Sequence, residues 1–241
     1  MLSIRRAIST VVSSRSGFLA MPNPWDVPAK SKIPTDYDIK PEELYEAVGS
    51  ALSSWQYVED EVALIFKALV SDGLPEHTYE PSKSPAERAY GSVNSFEARA
   101  TMVAAAAEAF FYKNPRTTYE KQLRELLKAC RGWSARRNDI AHGKIAGSPL
   151  NYYVGDPSDW NRCALWPSDS NTRKLTLDNL NSFIYNGKII HGFGNKFMEL
   201  CGQLSSFLSD FERWRREQRG EHPWPDHWPP NPEPEDQSDP Q

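Results

Sequence analysis

Residues Thr117–Gly143 read TTYEKQLRELLKACRGWSARRNDIAHG. Tyr119, Leu123, Leu126, Leu127, Cys130 and Trp133 recur at three- and four-residue spacing, the mark of an α-helix with one buried face. The spacing predicts a helix from Thr117 to His142 whose buried face continues through Arg137 and Ala141. At about 100° per residue, Asn138 and His142 fall one turn apart at the edge of that face, and Asp139 points away. Gly143 marks a C-terminal cap. The end of this helix therefore aims an arginine, an amide and an imidazole at the rim of the core. A guanidinium holds phosphate by paired hydrogen bonds, and an imidazole moves protons near neutral pH.

Outward from this helix the chain reads as helical nearly throughout. Leu44, Val48, Leu52, Trp55, Val58 and Val62 form an almost unbroken apolar stripe in a helix predicted from Pro41 to Val70. Glu59 falls inside that stripe, four residues after Trp55. Burying an unpaired carboxylate is costly, so Glu59 is expected to meet a cation from another helix, with Arg137 the natural candidate. A short helix is predicted from Ser84 to Tyr90. Another runs from Ser95, its N-cap, to Tyr112, and its alanines 104–107 allow a close neighbour. After the Thr117–His142 helix, Asn151 to Val154 and Trp160 to Trp166 read as short strands around Gly155-Asp156-Pro157, with a third at Arg173 to Leu177. A last helix from Asp178 to Gln218 carries Ile184, Phe197, Leu200, Leu204, Leu208 and Phe211 at helical spacing. Gly187, Gly192 and Gly194 are expected to bend or break it.

The fold class predicted is all-α: a helical domain over residues 41–218, with a small β insertion at about 148–177 before the last long helix. The chain has 241 residues, 39% of them hydrophobic, enough for one substantial core. A mean hydropathy of −0.64 and 19 prolines imply sizeable unstructured parts. Residues 1–40 read as a flexible leader and arm, with the first 21 residues outside the fold and Pro22 to Lys40 an extended arm. The first 21 residues, with Arg5, Arg6, Arg15, several serines and no acid, superficially resemble a targeting peptide. The other reading is that translation starts at Met21. Residues 219–241, rich in proline, are expected to be a disordered tail, with Trp224 and Trp228 either docking on a partner or packing back onto the bundle. The longest apolar patch, Thr101 to Phe111, contains Glu108 and is far short of the roughly 20 apolar residues of a membrane span. Three widely spaced cysteines, Cys130, Cys163 and Cys201, argue for a reducing, cytoplasmic setting, with neither a disulfide framework nor a zinc site. No histidine joins Cys or carboxylates at a metal-ligand spacing, and no glycine-rich loop supports ATP or NAD, so neither a metal nor a cofactor is expected.

Charge argues both ways about nucleic acid. The net charge of −4 disfavours a general duplex binder. Yet nine basic residues between Lys113 and Lys144, Arg131 and Arg136 among them, outnumber Glu120, Glu125 and Asp139. They form either a positive ridge leading to the motif or an ordinary solvated helix face.

Arg137, four intervening residues beginning with Asn138, and His142 resemble the motif of HEPN domains, in which an arginine and a histidine are separated by four to six residues and a polar residue commonly follows the arginine. The position at the end of a late bundle helix in an all-helical chain fits that family, and the resemblance spans roughly Pro41 to Gln218. It implies a HEPN-like bundle and a metal-independent endoribonuclease of toxin or defence type, with no cofactor. His142 would act as general base or acid on the ribose 2'-hydroxyl, and Arg137 would hold the phosphate. Asn138 would orient His142 or contact the phosphate. HEPN domains often carry an acidic or polar residue on an early helix near the motif, the place Glu59 would take. Arg131, Arg136 and Lys144 are the expected RNA contacts. The family usually forms homodimers in which two motifs face each other across a cleft. Some branches bind RNA or a protein partner, such as an antitoxin, without cutting. A catalytically silent helical module is therefore the alternative function.

Overall fold

Trp55 is the hub of the core, held edge-on between Phe96 at 5.0 Å and Phe197 at 5.2 Å from two other helices. The computed structural model describes residues 23–26, 40–71, 85–147, 163–168 and 181–220. These form helix α1 (Pro41–Val70), α2 (Pro85–Gly91), α3 (Phe96–Lys113), α4 (Thr117–His142), strands β1 (Lys144–Gly147) and β2 (Cys163–Trp166), a 3-10 turn at Asn181–Phe183, and helix α5 (Gly187–Gln218). The fold is mostly helical with a two-stranded sheet, as the periodicity predicts. Among the described residues, no helix is long and apolar enough to cross a membrane.

Local chemistry sets the helix ends. Pro41 opens α1, Glu42 and Glu43 sit in its first turn and Lys67 in its last, all favourable for the helix dipole. Ser95 caps α3 by accepting from the Ala98 N–H at 3.1 Å, as expected. Replacing Ser95 with alanine leaves that donor unsatisfied and is expected to cost about 1 kcal/mol of stability, checked by urea titration. Asn186 caps α5 in the same way, accepting from Ile189.

Helices α1 and α5 run parallel. Ala51 meets Gly194, Trp55 meets Phe197, and the Arg215 guanidinium donates to the Ala68 carbonyl. Phe197, Phe207 and Phe211 are fully buried, each worth about 1.5–3 kcal/mol of apolar burial. The predicted helix is interrupted just before Gly187, where α5 starts, but it is not broken at Gly192 or Gly194. Gly192 and Gly194 lie inside a continuous α5, because tertiary packing outweighs their weak helix propensity. A methyl at Gly194 would lie 3.4 Å from the Ala51 backbone, so the glycine lets α1 approach closely. The helix also begins later than predicted, at Gly187; residues 178–180 of the predicted span lie outside the described residues.

The sheet departs from expectation as well. β2 falls within the predicted Trp160–Trp166 strand, but its antiparallel partner is β1, directly after α4, in register Lys144↔Trp166 to Gly147↔Cys163. Lys144-Ile145-Ala146-Gly147 has no apolar alternation to announce a strand. Gly143 makes the junction possible by close approach rather than by a left-handed cap: its φ is −71°, and a methyl there would lie 2.6 Å from Leu165. The strands predicted at Asn151–Val154 and Arg173–Leu177, the targeting-peptide reading of the first 21 residues and the tail beyond Gly220 lie outside the described residues.

One part of the N-terminal arm packs against the helices. Residues 23–26 form a turn in which the Asn23 N–H donates to the Asp26 carboxylate at 2.7 Å. Trp25 lies edge-on to Trp133 at 6.3 Å and rests on Gly132, where a methyl would come within 2.3 Å of the indole. Gly132→Ala is therefore expected to expel the indole and to cost about 1–2 kcal/mol. Trp25→Ala should cost a similar amount, and the double variant no more than Trp25→Ala alone; full additivity in urea unfolding would refute the docking.

Candidate functional site

The end of α4 presents two charged clusters on different sides. The first is sealed. Arg136 is 7% exposed and Asp139 8% exposed, and their side chains pair at 3.2 Å. Tyr185, whose backbone bridges to Leu165 of β2, accepts from Arg136 at 3.1 Å and donates to Asp139 at 3.0 Å. The Arg136 guanidinium also lies 5.6 Å over the Phe183 ring.

This arrangement corrects the predicted phase of the helix. The buried face continues from Trp133 through Arg136 and Ile140, whereas Ala141 is exposed and Arg137 half-buried. Asp139 points inward, not away. Trp133 leaves both an i+3 and an i+4 continuation open. The first wins because Tyr185 arrives to satisfy the Arg136–Asp139 pair. Arg136, expected as an RNA contact, is an interior structural residue.

The second cluster is open. Glu59, 13% exposed, meets cations from two other helices. Its Oε2 accepts from Arg99 Nη1 of α3 at 2.9 Å, its Oε1 accepts from the Trp55 indole at 2.7 Å, and Arg137 Nη2 stands 3.8 Å from Oε1. The expected Arg137 partnership is present at ion-pair distance, yet the closer cation is Arg99. Nothing in the spacing of the chain links two helices forty residues apart. The available signal was that an acid in an apolar stripe calls for an arginine at the edge of another stripe, and Arg99 stands beside Ala100 and Val103 in that position.

Arg137 is 35% exposed and donates from Nη1 to the Asn138 side-chain amide oxygen, Oδ1, at 3.1 Å. Its Nε has no hydrogen-bond partner, an arrangement that costs about 1–3 kcal/mol where the donor is shielded from water. Asn138 thus holds Arg137. Among the described residues no hydrogen bond joins it to His142. His142 is the exposed last residue of α4. It lies about 140° round the helix and about 7.5 Å along it from Arg137, so the two do not converge through the backbone of one chain.

Lys144 is exposed at the start of β1, next to His142. Arg131 donates to Glu97 of α3 at 2.9 Å, and Arg124 pairs with Glu120 at 2.7 Å. The basic ridge is therefore partly neutralised by its own neighbours. A cavity of about 460 Å³ opens at the far ends of α1 and α5, lined by Phe110, Lys113, Trp214 and Arg219 among others, and neither Arg137 nor His142 borders it. Of the motif residues, Asn138 and His142 are exposed and Arg137 is half-buried.

Among the described residues, no group of three or more His, Cys, Asp or Glu is placed to hold a metal ion. The three cysteines are free thiols, and burial pushes the Cys130 thiol up to about 12, which leaves it chemically inert at neutral pH. No protein-family model, curated protein or solved structure matches this chain.

Proposed function

We propose that this chain is a HEPN-like endoribonuclease of toxin or defence type that cleaves RNA without a metal ion. The observation that carries the reading is the solvent access of Arg137 and His142 beside a charged pair, Arg136 and Asp139, that is sealed in the core. The fold has provided separate partners for the structural charges and kept the two motif side chains at the surface.

In this reading His142 takes the proton from a ribose 2'-hydroxyl, and the 2'-oxygen attacks the adjacent phosphorus. The bond to the 5'-oxygen breaks, and that oxygen takes up a proton, leaving a 2',3'-cyclic phosphate and a 5'-hydroxyl. General base help of this kind contributes about a hundred- to ten-thousand-fold. Arg137 binds the non-bridging oxygens and stabilises the charge that builds there. Asn138 and Glu59 hold Arg137, while Lys144 extends the positive surface. Arg131 contributes only by exchanging its exposed Glu97 partner, a weak contact, for phosphate. Because Arg137 and His142 do not converge in one chain, a homodimer with facing α4 ends would complete the site. The free cysteines support a cytoplasmic setting.

A catalytically silent module that binds RNA or a protein partner, such as an antitoxin, is the second reading. It is favoured by the self-neutralised basic ridge and by the separation of Arg137 from His142. The deciding experiment incubates the protein with a mixed single-stranded and structured RNA pool in EDTA. Cyclic-phosphate ends that require both side chains support the nuclease; an intact pool supports the silent module.

A further inference from the structure

The cavity of about 460 Å³ at the ends of α1, α3 and α5 has aromatic walls and a basic rim. Phe110 and Trp214 both line it, meet edge-on at 6.2 Å, and are only partly buried by the core. Lys113 stands in the last turn of α3, and Arg219 is the C-cap of α5. Arg215 donates to the Ala68 and Ser71 carbonyls at the end of α1, with its guanidinium 5.4 Å over the Phe110 ring. Among the described residues, no acid lines the cavity. Each of the three helix ends brings about half a negative charge, so three cations leave a positive surplus. The site suits an occupant that is both aromatic and acidic.

Such a segment leaves the fold at the rim of this cavity. Gly220 takes a φ of 68° and donates its N–H to the Glu217 carbonyl at 3.1 Å, a left-handed cap that turns the chain off the axis of α5. Residues 221–241, beyond the described residues, contain Trp224, Trp228 and six acids (Glu221, Asp226, Glu233, Glu235, Asp236 and Asp239) without a lysine or arginine. Six acids outweigh the net charge of −4, so the rest of the chain is net positive. Trp224 lies between Pro223 and Pro225, which restrict its backbone in advance and lower the entropy lost on docking. It is four residues from Gly220, a reach of at most about 14 Å, and the neighbouring Arg219 itself lines the cavity.

We propose that this cavity is the docking site of the chain's own C-terminal tail: the Trp224 ring packs against Phe110 and Trp214, and Glu221 and Asp226 face Lys113 and Arg219. The tail of a second copy competes poorly, because so short a tether holds the chain's own tryptophan at an effective concentration on the order of millimolar. The docked tail covers the aromatic end of the bundle. The inference does not depend on the nuclease reading, since neither Arg137 nor His142 borders the cavity.

The test labels the full chain with 5-fluorotryptophan and records its fluorine NMR spectrum, with the Trp224 line identified by its loss in Trp224→Phe. In the wild-type chain that line is expected away from its position in a synthetic peptide of residues 220–231, and unmoved by dilution. Ala109→Phe, which puts a ring into the cavity from an exposed position on α3, is expected to return the line to the peptide position. Lys113→Glu is expected to lower the ratio of docked to free tail about two- to fivefold, the scale of an exposed ion pair. A Trp224 line at the peptide position in the wild-type chain overturns the proposal. So does a displaced line that ignores both substitutions, which would mean that the tail packs elsewhere. A line that returns to the peptide position on dilution also overturns it, in favour of a second copy's tail. Melting curves establish that each variant is folded. Should Ala109→Phe not fold, Lys113→Glu decides alone, because Lys113 is exposed.

Discussion

Under the proposed nuclease function, Arg137→Ala and His142→Ala are each expected to lower the rate of RNA cleavage in EDTA by about a hundredfold or more, the scale of losing one positioned proton-transfer group or one preorganised charge. The double variant is expected to be little worse than the weaker single one, because the two side chains act on a single transition state and their losses do not add. Stability separates this result from misfolding. His142 is exposed at the helix end, and its removal should leave the urea midpoint nearly unchanged. Arg137 is half-buried with an unpaired Nε, so its truncation costs little beyond its hydrogen bond to the neighbouring Asn138 and its distant contact to Glu59. The expected signature is a loss of activity in two folded proteins. A cleavage rate that persists in either variant would assign any nuclease activity of the preparation to something other than this site.

The long helices were legible because their buried faces are continuous. α1 and α4 begin and end where their apolar stripes placed them. The requirement that Glu59 find a cation was legible too, since it follows from the cost of burying charge. What could not be read was any choice decided by a partner distant in sequence. The phase of α4 beyond Trp133 depended on Tyr185, forty-six residues after Asp139. The dominance of Arg99 over Arg137 depended on the packing of α3 against α1. Trp25 gave no periodic signal because it docks as a single side chain, and its socket is marked only by the missing side chain of Gly132. β1 was hidden for a related reason: four residues with little alternation become a strand because Gly143 and Leu165 bring β2 alongside.

The correction at Arg136 leads to the largest expected effect on stability. Asp139→Ala removes the carboxylate from a guanidinium that is 7% exposed, and it takes the acceptor from Tyr185. Arg136 Nε makes no hydrogen bond, so the guanidinium depends on the remaining contacts for its compensation. Breaking a buried pair in this way costs about 3–5 kcal/mol, a large part of the roughly 5–15 kcal/mol that holds a typical domain together. The urea midpoint should fall steeply with little change in slope. Replacing both charges, as Arg136→Met with Asp139→Leu, leaves no stranded ion and is expected to recover most of the loss. If Arg136 instead bound RNA, the double variant would be stable yet impaired in binding. With Arg136 sealed beneath Phe183 and Tyr185, the proposed RNA binding should be the same in the recovered protein and in wild type, because the proposed contacts at this helix end are Arg137, Asn138 and His142.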